Sequence, residues 1–154
     1  MLTIERDDLS GADVRALVAA HLAGMHAQTP AESVHALDLS ALQHPDVAFW
    51  SARVDGELAG IAATARIDDA NAEVKSMRVA DAHLGRGIGR ALVRHIVADA
   101  RERGLHALWL ETGSTDDFVA ARRLYASEGF VECEPFGAYA PDPLSTFMTL
   151  PLRP

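Results

Sequence analysis

The clearest hydrophobic pattern in the chain begins at residue 88. Apolar side chains recur there every three or four positions, the spacing that gathers them on one face of a helix. These residues are Ile88, Leu92, Val93, Ile96, Val97 and Ala100. Gly104 follows them, in the position where a left-handed residue commonly ends a helix. The pattern therefore predicts a long helix that ends at about Arg103 and buries one face.

The other segments alternate between strand-like and helix-like patterns. The predicted strands are residues 2–6, 47–54, 57–67, 72–79, 106–111, 130–136 and 145–152. The other predicted helices are residues 11–27, 31–41 and 116–128. Turn signals separate the second, third and fourth strands, which favours an antiparallel meander. This order of elements predicts an α+β fold, with a mixed sheet and helices packed on it.

Length and composition exclude some classes of function. With 154 residues, 49% of them hydrophobic, we predict one domain over residues 1–154. The formal net charge of -8 argues against general nucleic-acid binding, which needs a basic face. Cys133 is the one cysteine, so no intrachain disulfide forms. The sequence shows no signal-peptide pattern and no apolar run long enough for a membrane-spanning helix. We therefore expect a cytoplasmic protein without a membrane partner.

Three glycines alternate between a predicted strand and the long helix, at Gly85, Gly87 and Gly89. The first turn of a helix has N–H groups without intrahelical acceptors and carries partial positive charge. Glycine lets an anion approach such a backbone closely. Arg86 and Arg90 add positive side chains. The segment therefore predicts a phosphate-binding loop, although a turn that only caps the helix has the same pattern.

Two common nucleotide-binding motifs do not fit this loop. A dinucleotide fingerprint requires a third glycine, where this chain has Arg90 or Leu92, depending on the register. A P-loop requires Gly-Lys-Ser/Thr, which the chain lacks. The strand before the loop is polar, unlike the apolar strand expected in a doubly wound parallel sheet.

The loop and a later segment together resemble the GCN5-related N-acetyltransferase (GNAT) superfamily. The family motif Gln/Arg-x-x-Gly-x-Gly/Ala falls on Leu84–Gly89, with Leu84 in place of Gln or Arg. The motif Leu-Tyr-x-x-x-Gly-Phe matches fully at Leu124–Phe130, while Phe118 replaces a frequent Asn. The resemblance implies the GNAT fold, with a twisted, mostly antiparallel sheet of about seven strands and helices on both faces. It also implies acetyl-CoA as co-substrate, within a bacterial subgroup that acts on small molecules.

The resemblance assigns roles around the cofactor. Backbone groups of Met77 and Val79 would pair with the pantetheine arm, and an amide there would polarise the thioester carbonyl. Tyr125 would act as general acid at the sulfur; the alternative is a core tyrosine packed under Phe130. The complete cofactor site implied by the resemblance is Met77, Arg78, Val79, Leu84, Gly85, Arg86, Gly87, Ile88, Gly89, Arg90, Phe118 and Tyr125.

Glu73 is the candidate general base, by resemblance to a glutamate on the same strand of the family. Strand alternation predicts that Glu73 shares a face with Met77, four residues on, and that Ser76 and Arg78 face the other way. The alternatives are a surface charge paired with Lys75, and water as the base. An arginine such as Arg78 could hold a substrate carboxylate, or could form an internal ion pair.

The acceptor pocket is the least defined part of the prediction. Candidate acceptor-binding residues are Glu32, His35, Arg78, Glu111 and Tyr139. The seven histidines lack ligand spacing, so no metal is predicted. The predicted activity is direct transfer of acetyl from acetyl-CoA to a small amine, such as an amino acid, in a ternary complex. The alternative, favoured by the departures at Leu84 and Phe118, is a catalytically weak acyl-CoA-binding sensor. A homodimer is expected only by analogy.

Overall fold

A seven-stranded sheet runs through the computed structural model, which describes residues 1–30, 33–34 and 37–152. The strands are β1 (Leu2–Arg6), β2 (Val47–Val54), β3 (Glu57–Asp68), β4 (Asn71–Val79), β5 (Ala107–Gly113), β6 (Val131–Glu132) and β7 (Ser145–Pro151). The helices are α1 (Ala12–Gln28), α2 (Leu39–Leu42), α3 (Ile88–Glu102) and α4 (Val119–Ser127). Short 3-10 turns precede α3 and α4, at Asp81–His83 and Asp116–Phe118.

The strand order is β1-β2-β3-β4-β5-β7-β6. Each neighbouring pair is antiparallel except β4 and β5, which run parallel because α3 carries the chain across between them. The predicted fold class, with its mostly antiparallel sheet and helices on both faces, is confirmed. None of the helices in the described part of the chain has both the length and the apolar character needed to cross a bilayer.

Each face of the sheet carries its own hydrophobic cluster. On the first face, α3 and α4 pack their apolar side chains, among them Leu92, Ile96 and Tyr125, onto the central strands. On the second face, Val14 and Val18 of α1 pack with Leu42 of α2. The two faces are called the α3 face and the α1 face below.

Two predicted elements differ in the structure. Residues 31–32 and 35–36 of the helix predicted over 31–41 lie outside the described residues, and the α-helix described in this segment is Leu39–Leu42. It is capped by the Asp38 carboxylate, which accepts from the Ala41 N–H at 2.8 Å. The strand predicted over residues 130–136 is β6 alone. After β6 the chain leaves the sheet, and Phe136 packs edge-on against Phe147, with 5.9 Å between ring centroids. The apolar pattern after β6 therefore reflects packing by irregular chain, which periodicity does not distinguish from a strand.

Candidate active site

The parallel strands β4 and β5 separate towards their carboxyl ends. Their pairing ends at Val74 opposite Leu110, whereas β4 continues to Val79 and β5 to Gly113. A cavity of about 120 Å³ lies at this separation. Its lining residues are His21, Met25, Val74, Lys75, Ser76, Met77, Glu111, Thr112, Phe118, Ala121 and Tyr125. The separation leaves the β5 side of the end of β4 open to a ligand.

A β-bulge interrupts β4 beside this cavity. Ile61 of β3 pairs with Arg78 and Ala63 pairs with Lys75, so Ala62 faces both Ser76 and Met77. Ser76 has a φ of 52°, a left-handed conformation that a serine rarely adopts. The extra residue reverses the alternation of side chains between the two faces beyond the bulge.

The bulge overturns the predicted placement of side chains on β4. Glu73 pairs with Ala65 and lies on the α1 face, but Met77 packs into the cluster on the α3 face. The prediction that Glu73 and Met77 share a face was therefore wrong. Arg78 was predicted on the face opposite Glu73; instead it pairs with Ile61, whose side chain belongs to the α1-face cluster. Strict alternation fails here because the bulge adds one residue.

The glycine loop forms the start of α3, as predicted. Gly87 is the N-cap residue with φ 78°, and Gly85 has φ 74°. A Cβ at either position would meet no heavy atom within 4 Å, so the space above the loop is open. The first intrahelical bond runs from the Ala91 N–H to the Gly87 carbonyl, at 3.0 Å. The preceding first-turn N–H groups lack acceptors within the helix and are free to bind an anion. Loop and helix start could therefore hold an anion such as a phosphate group.

Gly89 serves a different purpose from the other two glycines. A Cβ there would lie 3.2 Å from Cδ2 of Leu124 and 3.5 Å from Cγ2 of Val79. Gly89 therefore lets α3 approach α4 and the end of β4 closely. Ile88 is buried in the α3-face cluster and anchors the first turn of the helix.

The side chains around the loop differ in solvent exposure and in ion pairing. Leu84 is 62% exposed, and Arg86 is also exposed at the loop. Arg90, one of the two positive side chains of the loop, donates to the Glu128 carboxylate at 2.6 Å and to the Ser127 hydroxyl at 3.0 Å. The Arg90–Glu128 ion pair ties α3 to the end of α4.

Tyr125 lies in the wall of the β4–β5 cavity and also in the core. It is 7% exposed, and its ring packs edge-on against Phe130, with centroids 5.7 Å apart. Burial raises the pKa of the Tyr125 hydroxyl to about 12. Since that hydroxyl stays protonated at neutral pH, Tyr125 can donate a proton or a hydrogen bond into the cavity. Both roles foreseen for this residue, core packing and facing the cofactor site, are compatible with this position.

Phe118 covers the end of β5. A Cβ on Gly113 would lie 2.0 Å from Cδ2 of Phe118, so the ring rests directly on that glycine. The benzyl group offers no hydrogen bond to a cofactor and supplies an apolar wall to the cavity instead.

Glu73, Lys75 and Tyr139 contact one another on the α1 face. The Tyr139 hydroxyl donates to Glu73 Oε2 at 2.5 Å, and Lys75 Nζ donates to the Tyr139 oxygen at 2.8 Å. Lys75 Nζ also lies 3.2 Å from Glu73 Oε2. Burial, followed by the charge of Glu73, raises the pKa of Tyr139 far above its ordinary value. The foreseen pairing of Glu73 with Lys75 is present, but it is buried.

A second cavity, of about 670 Å³, adjoins this network. Its wall contains Ile67, Glu73 and the β6–β7 loop residues 136–140. Among the acceptor candidates, Tyr139 lies here, and Glu111 lines the first cavity. Glu32 and His35 lie outside the described residues.

Three further residues of the site carried weak signals or none in the sequence. Met25 and His21 line the first cavity from α1, and Phe136 lines the second. Burial, and then the positive charge of Arg78, lower the pKa of His21 to about 4, so its imidazole is neutral at physiological pH. Within the described part of the chain, no group of three His, Cys, Asp or Glu side chains could hold a metal ion.

Comparisons with known proteins agree with this geometry. The profile of the Acetyltransferase (GNAT) family matches residues 15–130. Two bacterial proteins named as uncharacterized N-acetyltransferases are similar along almost their whole length. YedL of Escherichia coli strain K12 is 48% identical over 152 residues, covering 99% of this chain and 96% of its own. YsnE of Bacillus subtilis strain 168 is 47% identical over 146 residues, covering 95% and 97%.

A solved structure from Klebsiella pneumoniae has the same architecture. Its name assigns it provisionally to the acyl-CoA N-acyltransferases. It is 31% identical to this chain, covers 99% of both chains and superposes with a TM-score of 0.80.

Proposed function

Since this chain belongs to the GNAT family of acetyltransferases, we propose that it transfers acetyl from acetyl-CoA directly to the amine of a small molecule. The observation that carries this proposal is the separation of β4 and β5, with the glycine loop and Tyr125 beside it. An extended pantetheine arm could pair with the open side of β4 as an added strand. The phosphates would then bind at the first turn of α3.

The residues that would hold coenzyme A surround this separation. Backbone N–H groups at Gly85–Gly89 would bind phosphate, with Arg86 as a flexible cation. Backbone groups at Met77 and Val79 would bind the arm. When bound, acetyl-CoA supplies the acetyl group as a thioester. Leu84 is expected to add little, since its apolar side chain points into solvent.

Transfer requires three tasks from the protein, and two of them concern the thioester. The thioester carbonyl must be polarised as negative charge develops, and a backbone N–H near the bulge is the donor that we expect. As the C–N bond forms and the C–S bond breaks, the sulfur must receive a proton or a hydrogen bond. Tyr125 is our candidate donor, because burial keeps its hydroxyl protonated at neutral pH.

The amine must lose a proton before or during attack. Glu73 is the candidate base, but its Oε2 already accepts from Tyr139 and pairs with Lys75. Oε2 of Glu73 is thus occupied, and the proton would pass to Oε1 of Glu73 or to a water. Both candidate bases, Glu73 and water, are compatible with this arrangement.

Acetyl-CoA turnover against a panel of amines tests the proposal, with release of free thiol as the readout. Wild type should acetylate at least one small amine, and Tyr125→Phe should lower kcat by about 100-fold while acetyl-CoA still binds. Binding of acetyl-CoA without turnover on any amine would support the sensor alternative. Failure to bind acetyl-CoA would overturn the cofactor assignment.

A further inference from the structure

Within the described residues, two polar side chains at the bulge on β4 have no partner, and one of them lines the first cavity. The Ser76 hydroxyl is buried, and within the described residues it has no hydrogen-bond partner. Ser76 as a whole is 8% exposed and lines the cavity. Two residues further on, Arg78 is half-buried, and its guanidinium forms no ion pair or hydrogen bond in the described part of the chain.

Neither feature is explained by stability. A buried hydroxyl without a partner is destabilising, and most buried polar groups in proteins are paired. The left-handed φ of Ser76 is a second unfavourable term at the same residue. Bulges frequently redirect a side chain next to an active site. Here the bulge turns Arg78 from the apolar α3 face to the α1 face.

Helix α1 leaves space for the redirected arginine. A Cβ on Gly24 would lie 2.9 Å from Nη1 of Arg78, so the guanidinium rests where a larger residue would have a side chain. His21, one turn earlier in α1, lines the same cavity as Ser76. His21 stays neutral at physiological pH, so it neither adds to the arginine charge nor compensates it. An arginine without an acidic partner among the described residues is conspicuous in a chain with 22 acidic and 14 basic residues.

We propose that Arg78 and Ser76 bind a carboxylate of the acceptor, so the acceptors are amino acids or other amines that carry a carboxylate. This inference rests on the proposed function, since it names the acceptor class of that site. The planar guanidinium donates two parallel N–H bonds to a carboxylate, and the serine hydroxyl supplies a third donor.

The charges across the site favour one orientation of such an acceptor. Glu73 and Lys75, with Glu111 on the neighbouring strand, lie on the α1 face on the side before the bulge, whereas Arg78 follows the bulge. Two carboxylates and one ammonium give that side a net negative charge, which disfavours an anion and attracts an amine. Arg78 provides the positive end. A molecule with both an amine and a carboxylate complements both ends.

The first experiment compares matched acceptors. Each of the twenty L-amino acids is assayed beside its amide and its decarboxylated amine, with acetyl-CoA at saturation. For the best acceptor, kcat/KM should exceed that of the amide by at least about 30-fold, because the amide leaves the guanidinium unpaired. Equal use of the acid, the amide and the decarboxylated amine would overturn the inference while leaving the proposed function intact.

Variants then separate binding from structure. Arg78→Gln should remove the preference for the acid by raising its KM, with the amide unaffected, and Arg78→Lys should restore part of it. Gly24→Ala keeps the charge but displaces the guanidinium, so it should raise KM for the acid as well. Arg101→Gln, a charge removal at an exposed position of α3, is the matched control and should change nothing. If Arg78→Gln affects the acid and the amide equally, the arginine has a structural role and the inference fails.

Variants of Ser76 test whether this residue belongs to the carboxylate site. Ser76→Gly removes the hydroxyl and relieves the left-handed φ, so the Tm should hold or rise while KM for the acid rises. Ser76→Ala should give the same change in KM with a lower Tm than Ser76→Gly. A fall in KM for the acid, or no change in either variant, would exclude Ser76 from the carboxylate site.

A binding measurement distinguishes failure of this inference from failure of the proposed function. Wild type and Arg78→Gln are titrated calorimetrically with the twenty N-acetyl-L-amino acids and their amides, without acetyl-CoA. Arg78-dependent binding of an acid over its amide, without turnover of any amine, would sustain the carboxylate site and reject the enzyme. If no acid binds better than its amide and no amine is acetylated, both the carboxylate site and the proposed function are overturned.

Discussion

Replacement of Gly87 is the most direct test of the phosphate site. This residue caps α3 with φ 78° and has open space where a Cβ would stand. Gly87→Ala therefore meets no atom, and its effect comes from the left-handed backbone, about 1–2 kcal/mol. Gly87→Asp has a comparable or smaller backbone effect, since aspartate tolerates this conformation better. It also adds a negative charge where the phosphates are expected to bind.

The electrostatic effect of Gly87→Asp can be estimated from Coulomb's law. Two unit charges about 6 Å apart repel by about 3 kcal/mol at an effective dielectric constant of about 20. That energy corresponds to a Kd for coenzyme A raised by more than about 100-fold. Gly87→Ala lacks the charge and should change the Kd by less than about 10-fold. The contrast between the two variants therefore reports charge at the loop rather than loop distortion.

Isothermal titration with coenzyme A measures both constants, and thermal unfolding checks that each variant is folded. Gly104→Asp is the matched control, because Gly104 also has a left-handed φ of 74°. It stands at the other end of α3, roughly 25 Å away for 17 residues at 1.5 Å each. Its Kd should equal that of wild type. If Gly87→Asp binds coenzyme A as tightly as Gly87→Ala does, the phosphates do not bind at the start of α3.

Three further predictions concern other parts of the site. Gly113→Ala should lower stability by about 1–3 kcal/mol, because its Cβ would lie 2.0 Å from Phe118; Phe118→Leu in the same chain should recover much of the loss in chemical denaturation. Hydrogen bonding to Arg94 holds the pKa of Glu128 below its ordinary 4.5, so Glu128 stabilises the fold above that pH and loses the effect as the carboxylate is protonated. The Tm difference between wild type and Glu128→Gln should thus be present at pH 7 and vanish in acid, and a difference independent of pH would contradict the pairing. Burial raises the pKa of Tyr125 to about 12, so deprotonation of this residue should lower kcat only at about pH 12. A decrease in kcat near pH 10 that is absent in Tyr125→Phe would refute this prediction.

The glycine loop and helix α3 were predictable because their determinants are local. The apolar residues of α3 are spaced for one buried face, and the left-handed positions at Gly85 and Gly87 suit glycine. The strands before the loop and after α3 were also predicted from local patterns, and they correspond to β4 and β5. Even the pairing of Glu73 with Lys75 was foreseeable, since the residues are two apart on one strand.

The bulge at Ser76 was not predictable in the same way. A strand with one inserted residue keeps the composition of a regular strand, yet every side chain beyond the insertion changes face. Arg78 and Met77 were therefore assigned to the wrong sides of the sheet. Contacts between distant segments were equally hidden: Tyr139 reaches Glu73 from 66 positions away, and Glu128 engages Arg90 from 38.

The brief pairing of β4 with β5 has a mechanical consequence. Four residue pairs, from Asn71–Ala107 to Val74–Leu110, hold together a unit of four strands and a unit of three. Because so few main-chain hydrogen bonds join the two units, the apolar α3-face cluster, to which strands of both units contribute, must supply much of the cohesion between them. A ligand that enters between the strands beyond Val74 therefore breaks no pairing of β4 with β5. Helix α3, which connects β4 to β5, packs on both units.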